Sequence, residues 1–174
     1  MNIPNLLTLF RFFLIPCFIF AFFSRSNDSL INSAIIFFIA GFTDILDGYI
    51  ARKFNEITKY GTVMDPLADK LMLLTVLGCL TIKGYIPLLI LLIMLAKEFS
   101  MIIIGVFLYG KNIIIPANIW GKLSTLIFYV AILFFTFSKF LGTYLLYIAI
   151  LGAVVAYINY FLIFLSKYRQ NATK

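Results

Sequence analysis

Four aspartates form a spaced group in a chain that has only seven acidic residues. Asp44 and Asp47 are three residues apart, and Asp65 and Asp69 are four apart, so each pair would share one face of a helix. Both pairs run into hydrophobic stretches long enough to enter a bilayer, where a carboxylate is costly. Two facing helices would bring the four carboxylates to one point, and that arrangement requires a compensating charge or a function.

A divalent cation is the simplest group that would neutralise these carboxylates, because like charges repel strongly where water is scarce. The chain contains no histidine, and its two cysteines lie outside this part of the sequence. The available ligands are hard oxygens, which suit Mg²⁺, Mn²⁺ or Ca²⁺ better than zinc. Since Mg²⁺ usually binds carboxylates together with substrate phosphates, the pattern points to a phosphate-bearing substrate. The alternative is a salt-bridged helix pair, with Arg52, Lys53, Lys59 and Lys70 as the basic partners.

The composition is typical of a polytopic membrane protein. The chain is 63% hydrophobic and only 12% charged, which excludes an ordinary soluble domain. Its 174 residues are enough for a single domain over residues 1–174. The net charge of +7 is compatible with nucleic-acid binding. In so apolar a chain it fits basic loops beside anionic membrane lipid better, so we expect no nucleic-acid partner.

Six apolar segments, each about as long as a membrane crossing, would position the four aspartates. Short polar connections separate them, so the sequence predicts an all-α integral membrane protein, a six-transmembrane-helix bundle. The segments are approximately 5–24, 29–51, 62–82, 85–109, 118–138 and 141–166. One aspartate pair then ends the second helix and the other pair opens the third, at the same membrane interface.

The basic residues orient the predicted bundle. With six crossings both termini lie on one side, and that side has eight Lys and Arg residues against three on the other. Cytoplasmic loops carry the excess of basic residues, so the termini and the aspartates are predicted to face the cytoplasm. The larger set is Arg52, Lys53, Lys59, Lys111, Lys122, Lys167, Arg169 and Lys174, and the smaller set is Arg25, Lys83 and Lys139.

The complete pattern is Asp-x2-Asp-Gly-x2-Ala-Arg-x8-Gly-x3-Asp-x3-Asp, and it resembles the signature of the CDP-alcohol phosphotransferases, integral-membrane enzymes that make phospholipids. Every fixed position is present, and eight specified residues at fixed spacing make a specific match. They are Asp44, Asp47, Gly48, Ala51, Arg52, Gly61, Asp65 and Asp69. The resemblance covers the N-terminal half well and the remainder only in architecture.

The resemblance implies that an alcohol hydroxyl attacks the phosphatidyl phosphorus of CDP-diacylglycerol and that CMP is released. It implies that Asp44, Asp47 and Asp65 hold Mg²⁺ (or Mn²⁺) and the diphosphate. Asp69 would be the general base and a further metal contact. The family also suggests a homodimer.

Three small residues and one arginine of the signature are candidates for binding the donor. Gly48, Ala51 and Gly61 permit close approach of a nucleotide or of a neighbouring helix. Arg52 has the planar fork that binds phosphate oxygens well. For the small residues considered alone, ordinary helix packing is the alternative.

The opening segment of the chain also resembles the family. Asn5, Thr8 and Arg11 are spaced by three and share a helix face, and in the family this segment helps to contact the nucleotide. We therefore expect Asn5 and Thr8 to bind the donor. Arg11 lies inside an apolar segment, where it is expected to reach the headgroups or to pair with an acid.

The second half of the chain would bind the acceptor. Within the family the chain is most similar to the members whose acceptor is glycerol 3-phosphate, although those members usually have Arg-Glu where this chain has Lys97-Glu98. Lys97 and Lys122 are the candidates for the acceptor phosphate. Lys97 could instead pair with Glu98, and Lys122 could anchor the helix at the interface. The cardiolipin synthases of the same family are an alternative.

A transporter or ion channel is the alternative from another functional class, because such proteins also use intramembrane carboxylates. The aspartates, however, lie near one predicted interface rather than at the midplane, and no inverted repeat is visible. A structural membrane subunit would leave the aspartate pattern unexplained.

Overall fold

The computed structural model of the protein describes residues 3–54, 59–109 and 119–172. Six helices follow one another in these ranges. They are α1 (Ile3–Phe22), α2 (Ser29–Lys53), α3 (Lys59–Ile82), α4 (Leu88–Tyr109), α5 (Ile119–Phe137) and α6 (Lys139–Ala172). The prediction of an all-α protein with six helices is confirmed. The largest difference is at the end of α6, which continues beyond the predicted limit at 166.

Three of the described helices are long and apolar enough to cross a membrane, namely Pro4–Phe22, Ser29–Ala51 and Lys139–Ser166. A fourth apolar stretch, Gly121–Phe137, is shorter. These helices are consistent with an integral membrane protein, and six crossings stay a prediction. Several basic residues that were used to predict the membrane orientation are not described by the structure. They are Lys111 and Lys174, together with the side chains of Arg52, Lys59, Lys167 and Arg169.

The chain divides into two compact units, Met1–Leu91 and Leu92–Lys174. In the first unit α1 contacts both α2 and α3, and α2 also contacts α3. The buried face of α1 is polar near its start, at Thr8 and Arg11, and apolar further on, at Leu14, Phe18 and Phe22. These positions recur every three or four residues, as expected for one face of a helix.

The other two helices of the first unit have matching buried faces. Along α2 the order is reversed, since buried Phe37 and Ala40 precede buried Thr43 and Asp47. Along α3 it is the same as in α1, and buried Met72 and Val76 follow the aspartates. Because α2 runs antiparallel to α1 and α3, the polar segments of the three helices meet at one end of the unit.

The turn after α3 confirms that α1 and α3 run in the same direction. Lys83 follows α3, and its Nζ lies 5.9 Å from the ring centroid of Phe22 and 5.5 Å from that of Phe23 at the end of α1. Gly84 has a φ of 73°, a left-handed conformation that glycine adopts without steric cost. This turn closes the apolar end of the unit, opposite the aspartates.

In the second unit α5 packs along α6. A Cβ at Gly142 would lie 2.4 Å from the Cα of Phe135, so glycine is needed where the two helices are joined. Further along, Ser124 Oγ donates a hydrogen bond of 2.9 Å to the carbonyl oxygen of Ala149. Two buried contacts therefore fix the register of α5 on α6.

Candidate active site

The polar ends of α1, α2 and α3 meet at the guanidinium of Arg11. Its Nη1 donates to Asp44 Oδ1, and its Nη2 donates to Asp47 Oδ2. The same Nη2 lies 3.6 Å from Asp65 Oδ1. Three of the four carboxylates predicted to bind metal, from two helices, thus surround one cation from a third helix. We call these three side chains the aspartate cluster.

Thr8 adds a second contact between α1 and the aspartate cluster. It lies one turn before Arg11, and its hydroxyl hydrogen-bonds to Asp65 Oδ1. The same Oγ1 lies 3.0 Å from the carbonyl oxygen of Pro4. A hydroxyl carries one proton, so the carboxylate and the helix carbonyl compete for it. Through Thr8 and Arg11, one face of α1 fixes the position of Asp65 on α3.

The aspartate cluster is buried unevenly. The side chains of Arg11 and Asp47 are each 2% exposed, whereas those of Asp65 and Asp44 are 30% and 40% exposed. With all three carboxylates ionised, the formal charge is −3 + 1 = −2. Arg11 Nε is buried and has no hydrogen-bond partner within the described part of the chain. Because buried ions are costly unless paired, Arg11 offsets part of this charge and leaves a negative site on the exposed side.

Asp69, the predicted general base, lies one turn after Asp65 on α3 and is partly buried. Residues four apart on a helix are neighbours on one face. Asp69 is thus placed on the face of α3 that carries Asp65. Its role as a base stays a prediction.

The aspartate cluster can be compared with what a divalent metal requires. Its hard oxygens and its excess negative charge suit an ion such as Mg²⁺. Among the described residues, however, no group of three or more His, Cys, Asp or Glu side chains is arranged to hold a metal ion. The carboxylates converge on the guanidinium of Arg11 instead. The carboxylate oxygens are therefore suitable ligands for a divalent cation, but they are positioned around the guanidinium of Arg11.

A cavity of ≈ 580 Å³ lies between α1 and α3, beside the aspartate cluster. We call it the α1–α3 cleft. Thr8 belongs both to its wall and to the hydrogen-bonded surroundings of Asp65. The cleft is lined by Asn5, Thr8, Leu9, Phe12, Gly61, Met64 and Leu67. Three of the residues predicted to bind the donor, namely Asn5, Thr8 and Gly61, therefore share one cavity with a mainly apolar wall.

The remaining signature residues lie near the end of α2. Gly48 and Ala51 are partly buried, and Ala51 is one turn beyond Asp47. The side chain of Arg52 is outside the described part of the chain. Lys53 is exposed, and its Nζ lies 5.4 Å from the ring centroid of Tyr49, a cation–π contact.

The two predicted acceptor lysines are in the second unit. Lys97 Nζ lies 2.7 Å from Glu98 Oε1, and the side chains of both residues are largely buried. The hydroxyl of Ser100 on the next turn hydrogen-bonds to that of Tyr157 on α6, at 2.8 Å. Lys122 is exposed on the first turn of α5. Lys97 is thus part of a polar region between α4 and α6. Its ion pair with Glu98 is the alternative to phosphate binding that the sequence predicted.

Sequence reasoning did not identify Arg11 as the centre of the site. It placed Arg11 on the face of Thr8 but named other basic residues as partners of the aspartates. The available signal was the position of Arg11 in an apolar segment, since an intramembrane arginine requires an anionic partner. The four aspartates were the largest group of such partners in the chain.

The sequence profile of the CDP-alcohol phosphatidyltransferases matches residues 1–160. The chain belongs to this family. The resemblance inferred from the signature is therefore confirmed, and the protein is a transferase of phospholipid biosynthesis. The family is generally dependent on a divalent metal.

Three relatives carry the name CDP-diacylglycerol–glycerol-3-phosphate 3-phosphatidyltransferase. The protein of Rickettsia felis is 34% identical over 169 residues, which cover 96% of this chain and 92% of the relative. That of Wigglesworthia glossinidia brevipalpis is 35% identical over 175 residues, covering 95% and 91%. That of Bacillus subtilis is 34% identical over 136 residues, covering 71% and 70%. The similarity to these phosphatidyltransferases thus extends through both compact units.

The burial of the aspartate cluster predicts unequal effects of two isosteric substitutions. Asp47→Asn leaves the buried Arg11 without its fully buried counter-charge, so we expect the free energy of unfolding to fall by about 3 kcal/mol. Asp44 is partly exposed, and Asp44→Asn should cost about 1 kcal/mol or less. Thermal unfolding of both variants in detergent, with EDTA present, measures the difference. Equal losses of stability would contradict the assigned burial.

Proposed function

We propose that this protein transfers the phosphatidyl group of CDP-diacylglycerol to glycerol 3-phosphate, releasing CMP and forming phosphatidylglycerophosphate. The observation that carries the proposal is the meeting of three signature aspartates beside the α1–α3 cleft. The family and the names of the relatives support it.

CDP-diacylglycerol binds with its diphosphate at the exposed side of the aspartate cluster and its nucleotide toward Asn5, Thr8 and Gly61. Thr8 supports this placement because it contacts both Asp65 and the cleft. Gly48 and Ala51 leave room on α2 for the donor, and Arg52 binds a phosphate oxygen. In this arrangement the donor bridges the three polar helix ends.

A divalent cation, Mg²⁺ or Mn²⁺, would be held by Asp44, Asp47, Asp65 and Asp69 and would neutralise the charge of the diphosphate. Asp69 accepts the proton of the attacking acceptor hydroxyl. Its position one turn beyond Asp65 supports that role, because the base must lie close to the phosphorus that the acceptor hydroxyl attacks.

The acceptor phosphate binds at Lys97, with Lys122 as a second contact. Lys97 is held by Glu98 at 2.7 Å, so the acceptor phosphate must compete with that carboxylate for the ammonium group. An ammonium has three donors and can serve a carboxylate and a phosphate together. Glu98 then orients Lys97.

We also propose that the whole chain, residues 1–174, works as one domain that crosses the membrane several times. The excess of basic residues supports a cytoplasmic position for the termini and the aspartate cluster, where a water-soluble acceptor and a lipid donor can meet. A homodimer is proposed on the basis of the family alone.

The proposed reaction predicts an acceptor-specific and metal-dependent release of CMP. Purified protein should form phosphatidylglycerophosphate from CDP-diacylglycerol and glycerol 3-phosphate with Mg²⁺, and EDTA should abolish the product until Mg²⁺ or Mn²⁺ is restored. The lipid product and CMP are measured for a panel of acceptors. Full activity in EDTA would contradict the metal requirement. Use of phosphatidylglycerol instead of glycerol 3-phosphate would assign the chain to the cardiolipin synthases.

The acceptor assignment predicts a specific defect in Lys97→Met. Loss of charge-assisted hydrogen bonds to a phosphate should lower kcat/KM for glycerol 3-phosphate roughly ten- to hundred-fold. The KM for CDP-diacylglycerol should change little. The matched control is Lys139→Met, which removes an exposed lysine at the start of α6 and should leave both parameters unchanged. Unchanged use of glycerol 3-phosphate by folded Lys97→Met protein would show that Lys97 is structural.

A further inference from the structure

The guanidinium of Arg11 occupies the centre of the aspartate cluster, where a divalent cation bound by the same carboxylates would have to lie. Nη1 and Nη2 donate hydrogen bonds to oxygens of Asp44 and Asp47, respectively, and Nη2 also lies near Asp65. A Mg²⁺ ion needs its carboxylate oxygens at about 2.0–2.1 Å from one point. The described residues offer no such group of three acidic side chains, and the guanidinium lies between the aspartates that would form it.

We propose that Arg11 is a positioning residue that serves as the counter-cation of the aspartate cluster in the metal-free protein, and that an incoming divalent cation displaces it. The inference rests on the metal requirement of the proposed function. It explains how three carboxylates can be assembled before metal arrives, since their mutual repulsion would otherwise be uncompensated in a buried site.

The hydrogen bonding of Arg11 fits an exchangeable ligand. No described residue accepts a hydrogen bond from its buried Nε, and the described contacts of the guanidinium are those of its two terminal nitrogens. A buried arginine that stayed permanently in one place would be expected to satisfy all its donors. Asp44 and Asp65 are partly exposed, which gives a cation from solvent access to one side of the aspartate cluster.

The proposal predicts that removing the guanidinium tightens metal binding. Mn²⁺ alone is the probe, with free Mn²⁺ measured by electron paramagnetic resonance in the absence of lipid donor and acceptor. Arg11→Gln should bind Mn²⁺ roughly ten- to hundred-fold more tightly than the wild type. Arg25→Gln is the matched control, because it removes the same charge from an exposed loop and should leave the affinity unchanged.

Thermal unfolding gives a second readout that does not depend on activity. In EDTA, Arg11→Gln should unfold at a lower temperature than the wild type, because its aspartates lack a counter-charge. Saturating Mn²⁺ should raise its Tm by more than it raises that of the wild type, since metal binding in the wild type must first displace Arg11.

Arg11→Lys keeps the positive charge but removes the guanidinium from between the aspartates, so it tests whether the position or only the charge of Arg11 matters. It also serves as the test if Arg11→Gln does not fold without metal. An ammonium donates from one nitrogen and cannot span carboxylates as the guanidinium does. If Arg11 occupies the metal position, Arg11→Lys should bind Mn²⁺ several-fold more tightly than the wild type. Wild-type affinity in Arg11→Lys, or unchanged or weaker affinity in Arg11→Gln, would overturn the proposal.

The outcomes also distinguish this inference from the proposed function. Saturable Mn²⁺ binding by the wild type that is lost in Asp44→Asn, together with unchanged binding in both Arg11 variants, would reject the displacement alone. Absence of Mn²⁺ binding in the wild type and in all Arg11 variants would reject the metal requirement itself, and with it the displacement.

Discussion

The pairing of Arg11 with three aspartates is the constraint on which the first unit depends. Neither Arg11 nor Asp47 reaches water to any useful extent, so each needs a counter-charge, and in the metal-free protein each supplies it to the other. The pairing requires the start of α1, the end of α2 and the start of α3 to lie together. Any register that separated them would leave a charge buried in an apolar surrounding, at a cost of several kcal/mol.

The rest of the first unit makes that meeting possible. The buried faces of α1, α2 and α3 each change from polar to apolar at the same level, so large side chains such as Phe18, Phe37 and Met72 fill the end away from the aspartates. The alternating direction of the three helices thus brings the acids together at one end of the unit. The α1–α3 cleft opens beside the gathered acids, and in the proposed placement of the donor it offers the lipid both a charged contact and an apolar wall.

The sequence predicted the helices well and the connections among side chains poorly. Segment length and apolar composition determine α1 to α6, and the fixed spacing of the aspartates identified the family. The choice of Arg11 over nearer basic residues depends on how α1 and α2 pack, which spacing along one chain does not encode. Lys97 shows the same limit, because its pairing with the adjacent Glu98 and the contact of Ser100 with Tyr157 depend on side-chain conformation and helix packing.

The central claim is that the aspartate cluster holds the donor while Asp69 acts on the acceptor. The most direct measurement compares CDP-diacylglycerol affinity and turnover in Asp44→Asn and Asp69→Asn, both assayed with Mg²⁺. We predict that Asp44→Asn loses donor binding, whereas Asp69→Asn retains donor binding better than Asp44→Asn does but fails to turn over, because the general base acts on the acceptor hydroxyl. Equal loss of donor binding in the two variants would contradict this division of roles.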